Sequence, residues 1–492
     1  MSHYELIKEG SILPETAAGA LYDGAFRPAS DTVDVTEKAT GEVLFMGGMA
    51  SAADVADVCA KAAKAQQEWA AFSPVARGDV LRKFAQLCED HAEEIGAWII
   101  RETGSIPPKA PFEIMTSARE AIETAALCGQ PAGHILASEH NRASYARRVP
   151  LGVVAVITPW NSPFILAARV MLPALAMGNA CVLKPDLQTP VCGGYLVAKL
   201  FELAGVPAGV VGVLPGGAET GAALVADPNV NMVSFTGSTA TGRKIGAVAG
   251  EQLKKVSLEL GGNNAAIIFE DADLDRAVSA TAFGAFFHQG QICFTIGRHL
   301  VHESVAEAYA TKLAEKAKSL HVGNPAVDMC HLGPMINDTQ AARAEALMTE
   351  SVEMGAKVLA GGARDGLNFT PTVLSDVTPD MPIYTQEIFG PVAPIIPFKT
   401  DDEAIALANG VDYGLATSLF TRNQARAMAL SKQLRTGIVH INDQTVVHEV
   451  FGPIGGMGAS GNGARSGGPG VLEEYSQWQW VTVNDDVPDY PF

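Results

Sequence analysis

The chain contains no Cys-x-x-Cys pair, and its seven cysteines stand at positions 59, 88, 128, 181, 192, 293 and 330. An odd set without paired spacing excludes a disulfide framework and a zinc ribbon. Reduced thiols in a cytoplasm are therefore expected, and a metal centre is not. Positive charge is scarce, with 35 Lys and Arg against 54 Asp and Glu and a net charge of −19. Nucleic acid and anionic membrane both need clustered positive charge, so neither is an expected partner. No run reaches the ~18 apolar residues of a membrane-spanning helix. The opening MSHYELIKEG has no basic segment followed by an apolar one, so no signal peptide is expected. Internal repeats are absent, and nothing beyond the termini is of low complexity.

What is present is apolar and glycine-rich: 48% hydrophobic residues and 49 glycines in 492 positions. That length suits two or three domains of ~100–200 residues each. Helical periodicity predicts helices over 52–71, 74–103 and 110–128, and alternation predicts an exposed strand over 143–149. From 151 short apolar strands (152–157, 180–183, 210–214, 232–235, 255–258) alternate with helices (163–177, 189–204, 218–226, 238–250). This α/β alternation implies a parallel sheet covered on both faces, with ligands beyond the carboxyl ends of its strands. A second series follows, with strands at 264–268, 298–302, 392–397, 416–420 and 437–441. Its helices are expected at 273–287, 303–318, 338–353, 401–409 and 423–434. The tail, 478–483, reads as a strand that needs a partner, and 143–149 is the candidate.

Several loops carry residues suited to chemistry. Phe235-Thr236-Gly237-Ser238-Thr239-Ala240-Thr241-Gly242 ends a strand and opens a helix, where glycines let backbone N–H groups approach an anion. It falls short of a P-loop, because Arg243 and Lys244 stand where Lys and then Ser or Thr are needed. In Thr158-Pro159-Trp160-Asn161-Ser162-Pro163, Asn161 either caps a helix or points an amide N–H at a developing oxyanion. Lys184, at a strand end, is either solvated or in contact with a ribose or phosphate. Glu387 belongs either to a surface turn or to a ribose site. Cys293 follows Gln289-Gly290-Gln291-Ile292, a polar context unlike those of the other six cysteines; it is a nucleophile or a buried thiol.

Taken together, Pro159-Trp160-Asn161, Lys184-Pro185, Phe235-Thr236-Gly237-Ser238, Glu259-Leu260-Gly261-Gly262, Gln289-Gly290-Gln291-Ile292-Cys293 and Glu387-Ile388-Phe389-Gly390-Pro391 resemble the aldehyde dehydrogenase superfamily in order and spacing over nearly the whole chain. The resemblance implies a Rossmann-type NAD(P)-binding domain (1–129 and 150–260), an α/β catalytic domain (261–470) and a small β extension for oligomerisation (130–149 and 471–492). A homodimer or homotetramer would form through the C-terminal strand. Cys293 would attack the aldehyde, with Asn161 and the Cys293 N–H binding the oxyanion. After hydride transfer, Glu259 would activate water to hydrolyse the thioester. Trp160, Lys184, Gly237, Ser238, Gly242, Glu387 and Phe389 would hold the cofactor, NAD or NADP.

Two positions depart from the pattern. Leu187 stands where NAD-preferring relatives often carry Glu, which leaves NADP use open; Asp186 restores part of the NAD preference. Gln477 stands where some relatives carry a second, proton-relaying Glu. The wording around Gly297 and Gly455 resembles the benzaldehyde and vanillin dehydrogenase branch, which implies an aromatic aldehyde. Ser162, Arg169, Phe287, Phe294, Val446 and Ile454 would line its pocket. If Arg169 reaches that pocket it suits a carboxylate, and hence a semialdehyde acid. A CoA-acylating enzyme and a non-enzymatic protein on the same fold are the other readings.

Overall fold

The computed structural model describes Leu6 and residues 10–492. The other N-terminal residues, on which the signal-peptide expectation rests, lie outside the described residues. Two seven-stranded sheets organise the chain. The first runs Lys255–Leu260, Val230–Gly237, Val153–Ile157, Ala180–Lys184, Val211–Val213, Ala20–Tyr22, Phe26–Pro28 in spatial order. Its five later strands are mutually parallel, while the two N-terminal strands add antiparallel at one edge. The second runs Lys357–Ala360, Thr372–Ser375, Val392–Phe398, Ile296–His302, Asn264–Ile268, Ala416–Phe420, Ile438–Ile441. It is parallel except for its first pair. Central strands such as Val153–Ile157 and Asn264–Ile268 are buried at every residue. Such strands need apolar residues on both faces, which is why they read as continuous apolar runs rather than as alternation.

A third, three-stranded sheet joins Ser476–Val483, Ala143–Pro150 and Gly133–Ile135. The tail strand pairs antiparallel along the whole Ala143–Pro150 strand, the partner expected for it. Trp478 and Trp480 lie against Arg148 and Arg142, whose guanidinium carbons sit 4.2 and 5.8 Å from the ring centroids.

Three expectations need correction. The helix expected over 74–103 is two helices, Pro74–Asp90 and Ala92–Thr103, broken at His91. The chain leaves helical geometry at His91, with φ −110° and ψ 18°, which ends the first helix and starts the second. The helix expected from 189 opens with a π turn, Val191–Tyr195, whose first N–H groups are bound by the buried carboxylate of Glu102. The hairpin Asp31–Thr36 with Val43–Met49, and the strands Lys357–Ala360 and Thr372–Ser375, were not anticipated. They are short or sit at sheet edges, where the apolar signal is weak.

Candidate active site

Strand order in the first sheet reverses between Val153–Ile157 and Val230–Gly237, which are neighbours with their chain continuations leading to opposite sides. At such a switch point the loops leaving the two strands diverge and open a crevice. The loops are those carrying Trp160-Asn161 and Gly237-Ser238. Between them lies a cleft of ≈ 390 Å³, closed from the side of the second sheet by Cys293, Glu387 and Phe389. Gln340, Arg343 and Tyr413 also line it. Sequence reading missed these three because they come from a helix face and a short strand with no motif around them.

The Trp160-Asn161 loop is freed for the cleft by a distant residue. The helix Pro163–Ala176 has Ser162 as its N-cap, yet no side chain of its own caps it. Its first free N–H groups, on Phe164 and Ile165, donate instead to Glu113 Oε2 at 3.2 and 3.3 Å. Glu113 is buried and paired with the equally buried Lys109. Asn161 therefore caps nothing. It is buried, and its Nδ2 donates to the Gln291 carbonyl at 2.9 Å. An amide nitrogen carries two N–H donors, so one remains for an incoming oxygen.

Cys293 follows a strained turn: His288 and Gln289 both have positive φ, at 51° and 56°. Its own carbonyl is held by Asn264 Nδ2 at 2.8 Å. Burial, then the charge of Glu387, pushes the Cys293 thiol up to about 12, while Arg169 draws it down. The resting group is a thiol, which must lose its proton as it attacks. The five cysteines at 59, 88, 128, 181 and 192 are buried, and Cys330 is half-buried in a loop.

Glu259 occupies the strand Lys255–Leu260. Burial lifts its carboxyl to about 8, opposed by Arg169 and Arg465. Its Oε1 has no hydrogen-bond partner. Glu259 and Cys293 line a gap of ≈ 20 Å³ together with Leu166, Arg169, Val170 and Phe294. That volume holds about one water, which needs roughly 10–15 Å³. On one side the gap shares Leu166, Leu260 and Cys293 with the large cleft; on the other it shares Arg169 with an outer cavity of ≈ 250 Å³. Thiol and carboxylate thus sit between two separate approaches.

The Glu-Leu-Gly-Gly motif has a steric cause. A Cβ on Gly261 would lie 2.2 Å from Glu387 Oε2, and one on Gly262 would lie 2.7 Å from the Cys293 carbonyl. Only glycines let the end of the Glu259 strand touch both. Glu387 Oε1 accepts from the Gly262 N–H at 2.9 Å, and burial raises its carboxyl to about 7. Trp160 and Phe389 meet edge to face at 5.5 Å. Ser238 N-caps the helix Thr239–Glu251, and the first residues of that helix line the cleft. A helix end offering free N–H groups, with a buried carboxylate opposite, fits an anionic ligand that also carries ribose hydroxyls.

Two cofactor expectations fare differently. Gly242 does not offer its N–H to a ligand, because that N–H donates to the Ser238 carbonyl at 2.9 Å. It is a packing glycine, since a Cβ there would lie 2.4 Å from Leu260 Cδ2. Lys184 ends its strand as expected, but it is buried and its Nζ donates to the Pro185 carbonyl at 3.2 Å.

On the aldehyde side, Arg169, Phe294 and Ile454 line the gap, with Leu166, Val170 and Leu415 as walls not foreseen. Leu166, Arg169 and Val170 share one face of their helix by their i, i+3, i+4 spacing. Phe287 and Val446 pack behind them against the cluster of Ile292, Phe294, Leu415 and Ile454. Ser162 lines neither the gap nor the two larger cavities; it is taken up as the helix N-cap residue. Gln477 is exposed on the tail strand, bonded to the Pro150 carbonyl. The carboxylate whose charge acts on Glu259 is Glu474, three residues earlier.

Residues 26–481 match the model of the aldehyde dehydrogenase family. A vanillin dehydrogenase of an Amycolatopsis species is 51% identical over 97% of this chain and 99% of its own. A benzaldehyde dehydrogenase (NAD+) of Pseudomonas putida is 48% identical over 93% and 94%. Among solved structures, betaine aldehyde dehydrogenase of Staphylococcus aureus in complex with NAD+ superposes with a TM-score of 0.94, at 30% identity, covering 100% of this chain and 99% of that one. With the amide on the cleft, the carboxylate on the gap and the thiol shared by both at the switch point, the chain belongs to the aldehyde dehydrogenase family.

Proposed function

We propose that this enzyme oxidises benzaldehyde-like aromatic aldehydes to their carboxylic acids, with NAD(P)+ as acceptor. The observation that carries the reading is the narrow gap that brings Cys293 and Glu259 together between the cleft and the outer cavity. The aldehyde approaches through the outer cavity and passes apolar walls suited to a flat ring. Cys293 Sγ attacks the carbonyl carbon. The oxyanion takes the second N–H of Asn161 and the backbone N–H of Cys293. Bound in the cleft against Glu387, Trp160 and the start of the Thr239–Glu251 helix, the cofactor supplies the hydride acceptor. The resulting thioester is hydrolysed by water that Glu259 deprotonates.

Asn161→Ala removes one oxyanion donor. The expected result is a loss of about 10²–10³ in kcat, with KM for the aldehyde changed far less. Equal losses in binding and in turnover would place Asn161 in ground-state binding instead.

NAD+ is the proposed preferred acceptor. Asp186 lies two residues beyond Lys184 and is the carboxylate available to the adenosine ribose, although Leu187 offers no second one. We also propose assembly through the three-stranded sheet, where Ile135, Tyr145, Trp480 and Val483 are exposed, and a cytoplasmic location matching the free thiols. A carboxylate-bearing substrate is disfavoured, because the outer cavity beside Arg169 is also lined by the carboxylates Glu120 and Glu123.

The test is a panel of aromatic, aliphatic and acid-bearing aldehydes, each assayed with NAD+ and NADP+ and with or without CoA, scored by kcat/KM. Benzaldehydes are expected to lead, without CoA. Strict CoA dependence or a lead by the acid-bearing aldehydes would end this reading.

A further inference from the structure

Beyond the apolar walls lies a polar cluster that the chemistry at Cys293 does not use. Glu120 on the helix Lys109–Leu127, Arg169 on the helix Pro163–Ala176, and His448 in the loop after the strand Ile438–Ile441 converge there. Their side chains are only 10%, 10% and 5% exposed. Arg169 Nη2 lies 2.7 Å from His448 Nδ1. A guanidinium only donates, so Nδ1 accepts and the proton of the neutral ring sits on Nε2. Burial and the nearby Arg169 hold the imidazole near 2, well below its usual range, which keeps it in that neutral form. Glu120 Oε1 is 3.5 Å from Arg169 Nε and 3.7 Å from His448 Nε2.

Each member of the cluster keeps one buried atom without a hydrogen bond: Glu120 Oε2, Arg169 Nε and His448 Nε2. Buried polar atoms are almost always paired, so three in one cluster point to a missing partner. The set is one acceptor and two N–H donors. Glu120 and Arg169 both line the outer cavity, and Arg169 also lines the gap beside Cys293. A ring whose carbonyl reaches Cys293 from that side must pass Arg169.

A substrate hydroxyl matches this set, because it both donates and accepts. It donates one bond, to Glu120 Oε2, and accepts another, from His448 Nε2 or Arg169 Nε. A carboxylate would meet Glu120, with Glu123 also lining the outer cavity. A methyl or an unsubstituted ring would leave all three atoms unpaired.

We propose that Glu120, Arg169 and His448 form a specificity site for a ring hydroxyl, so that phenolic aldehydes are the preferred substrates. This rests on the aromatic-aldehyde reading above and names its substrate subclass. Sites built to bond a hydroxyl reject analogues that lack it far more strongly than apolar pockets reject an added one.

The test compares kcat/KM for 3- and 4-hydroxybenzaldehyde with that for the matching methylbenzaldehydes and benzaldehyde. These ratios are measured in the native enzyme and in the Glu120→Gln and His448→Phe variants. The native enzyme is expected to favour at least one hydroxy isomer over its methyl counterpart by about 10- to 100-fold. Both variants are expected to bring that ratio within about threefold of unity. A merely structural role would lower both substrates together and leave the ratio unchanged, which would overturn the proposal. A native ratio near unity with brisk turnover of all the benzaldehydes would overturn it too, while leaving the aromatic reading intact. No turnover of any benzaldehyde would instead refute the aromatic reading itself. The native ratio decides the matter even where a variant fails to fold.

Discussion

Cys293→Ala is expected to remove turnover, lowering kcat by about 10⁴–10⁶-fold, the range seen when a nucleophile is deleted from a covalent mechanism. No other thiol can take its place. Five of the remaining cysteines are buried, and Cys330 sits in a loop of the 320–333 region, outside the cleft and the gap. The loss should be confined to chemistry. The cofactor contacts proposed at Glu387, Trp160 and the helix end at Ser238 do not pass through Sγ. Trp160 lines the cleft, so quenching of its fluorescence by added NAD+ measures that binding directly. The expected outcome is an unchanged Kd beside absent turnover. Activity within tenfold of native would refute covalent catalysis at this position. Slow alkylation of the native thiol at neutral pH is a corollary. With burial pushing the thiol up to about 12, little thiolate is present at neutral pH, so reactivity should rise when a substrate or cofactor changes the local field.

Much of the candidate site was legible in the sequence because its residues sit in motifs with a steric or chemical cause. Gly261 and Gly262 are needed by close contacts to Glu387 and Cys293, so the Glu-Leu-Gly-Gly pattern records that the strand of Glu259 ends against both. The parallel strands were legible for a similar reason, since burial on both faces demands unbroken apolar runs. What escaped depends on residues far apart in the chain. Glu113 caps a helix fifty residues away, and nothing near Asn161 in the sequence announces that its helix is already capped. Gly242 looked like a ligand glycine because its spacing resembles phosphate loops, yet its neighbour is Leu260 on the adjoining strand. Arg169 could be read only as a lone guanidinium; its partners Glu120 and His448 lie on other elements. Glu474, whose charge acts on Glu259, carried no signal of its own; the resemblance pointed to Gln477, three residues later. Such pairings are set by packing between elements, and local periodicity carries no record of them.

Glu259→Gln should separate the two halves of the reaction. The substitution keeps size and shape but removes the carboxylate proposed as the base. Attack by Cys293, with hydride transfer, can still form the thioester, so mixing enzyme with aldehyde and NAD+ should give a burst of about one NADH per active site. Steady-state turnover should then fall by about 10²–10⁴, the usual contribution of a general base. The native pH dependence follows from the same carboxyl. A base must be ionised to work, and burial lifts Glu259 to about 8. Its active form therefore grows as pH rises from about 7 to about 9 and saturates only above that, so kcat limited by hydrolysis should climb over that window. In the Gln variant this limb should vanish. Loss of the burst itself would show that Glu259 takes the Cys293 proton during attack. That would move the base to the first half-reaction, where the high thiol pKa already creates a need for one. A full burst with undiminished steady state would mean that another group, with Glu474 the nearest carboxylate by its effect on Glu259, activates the water.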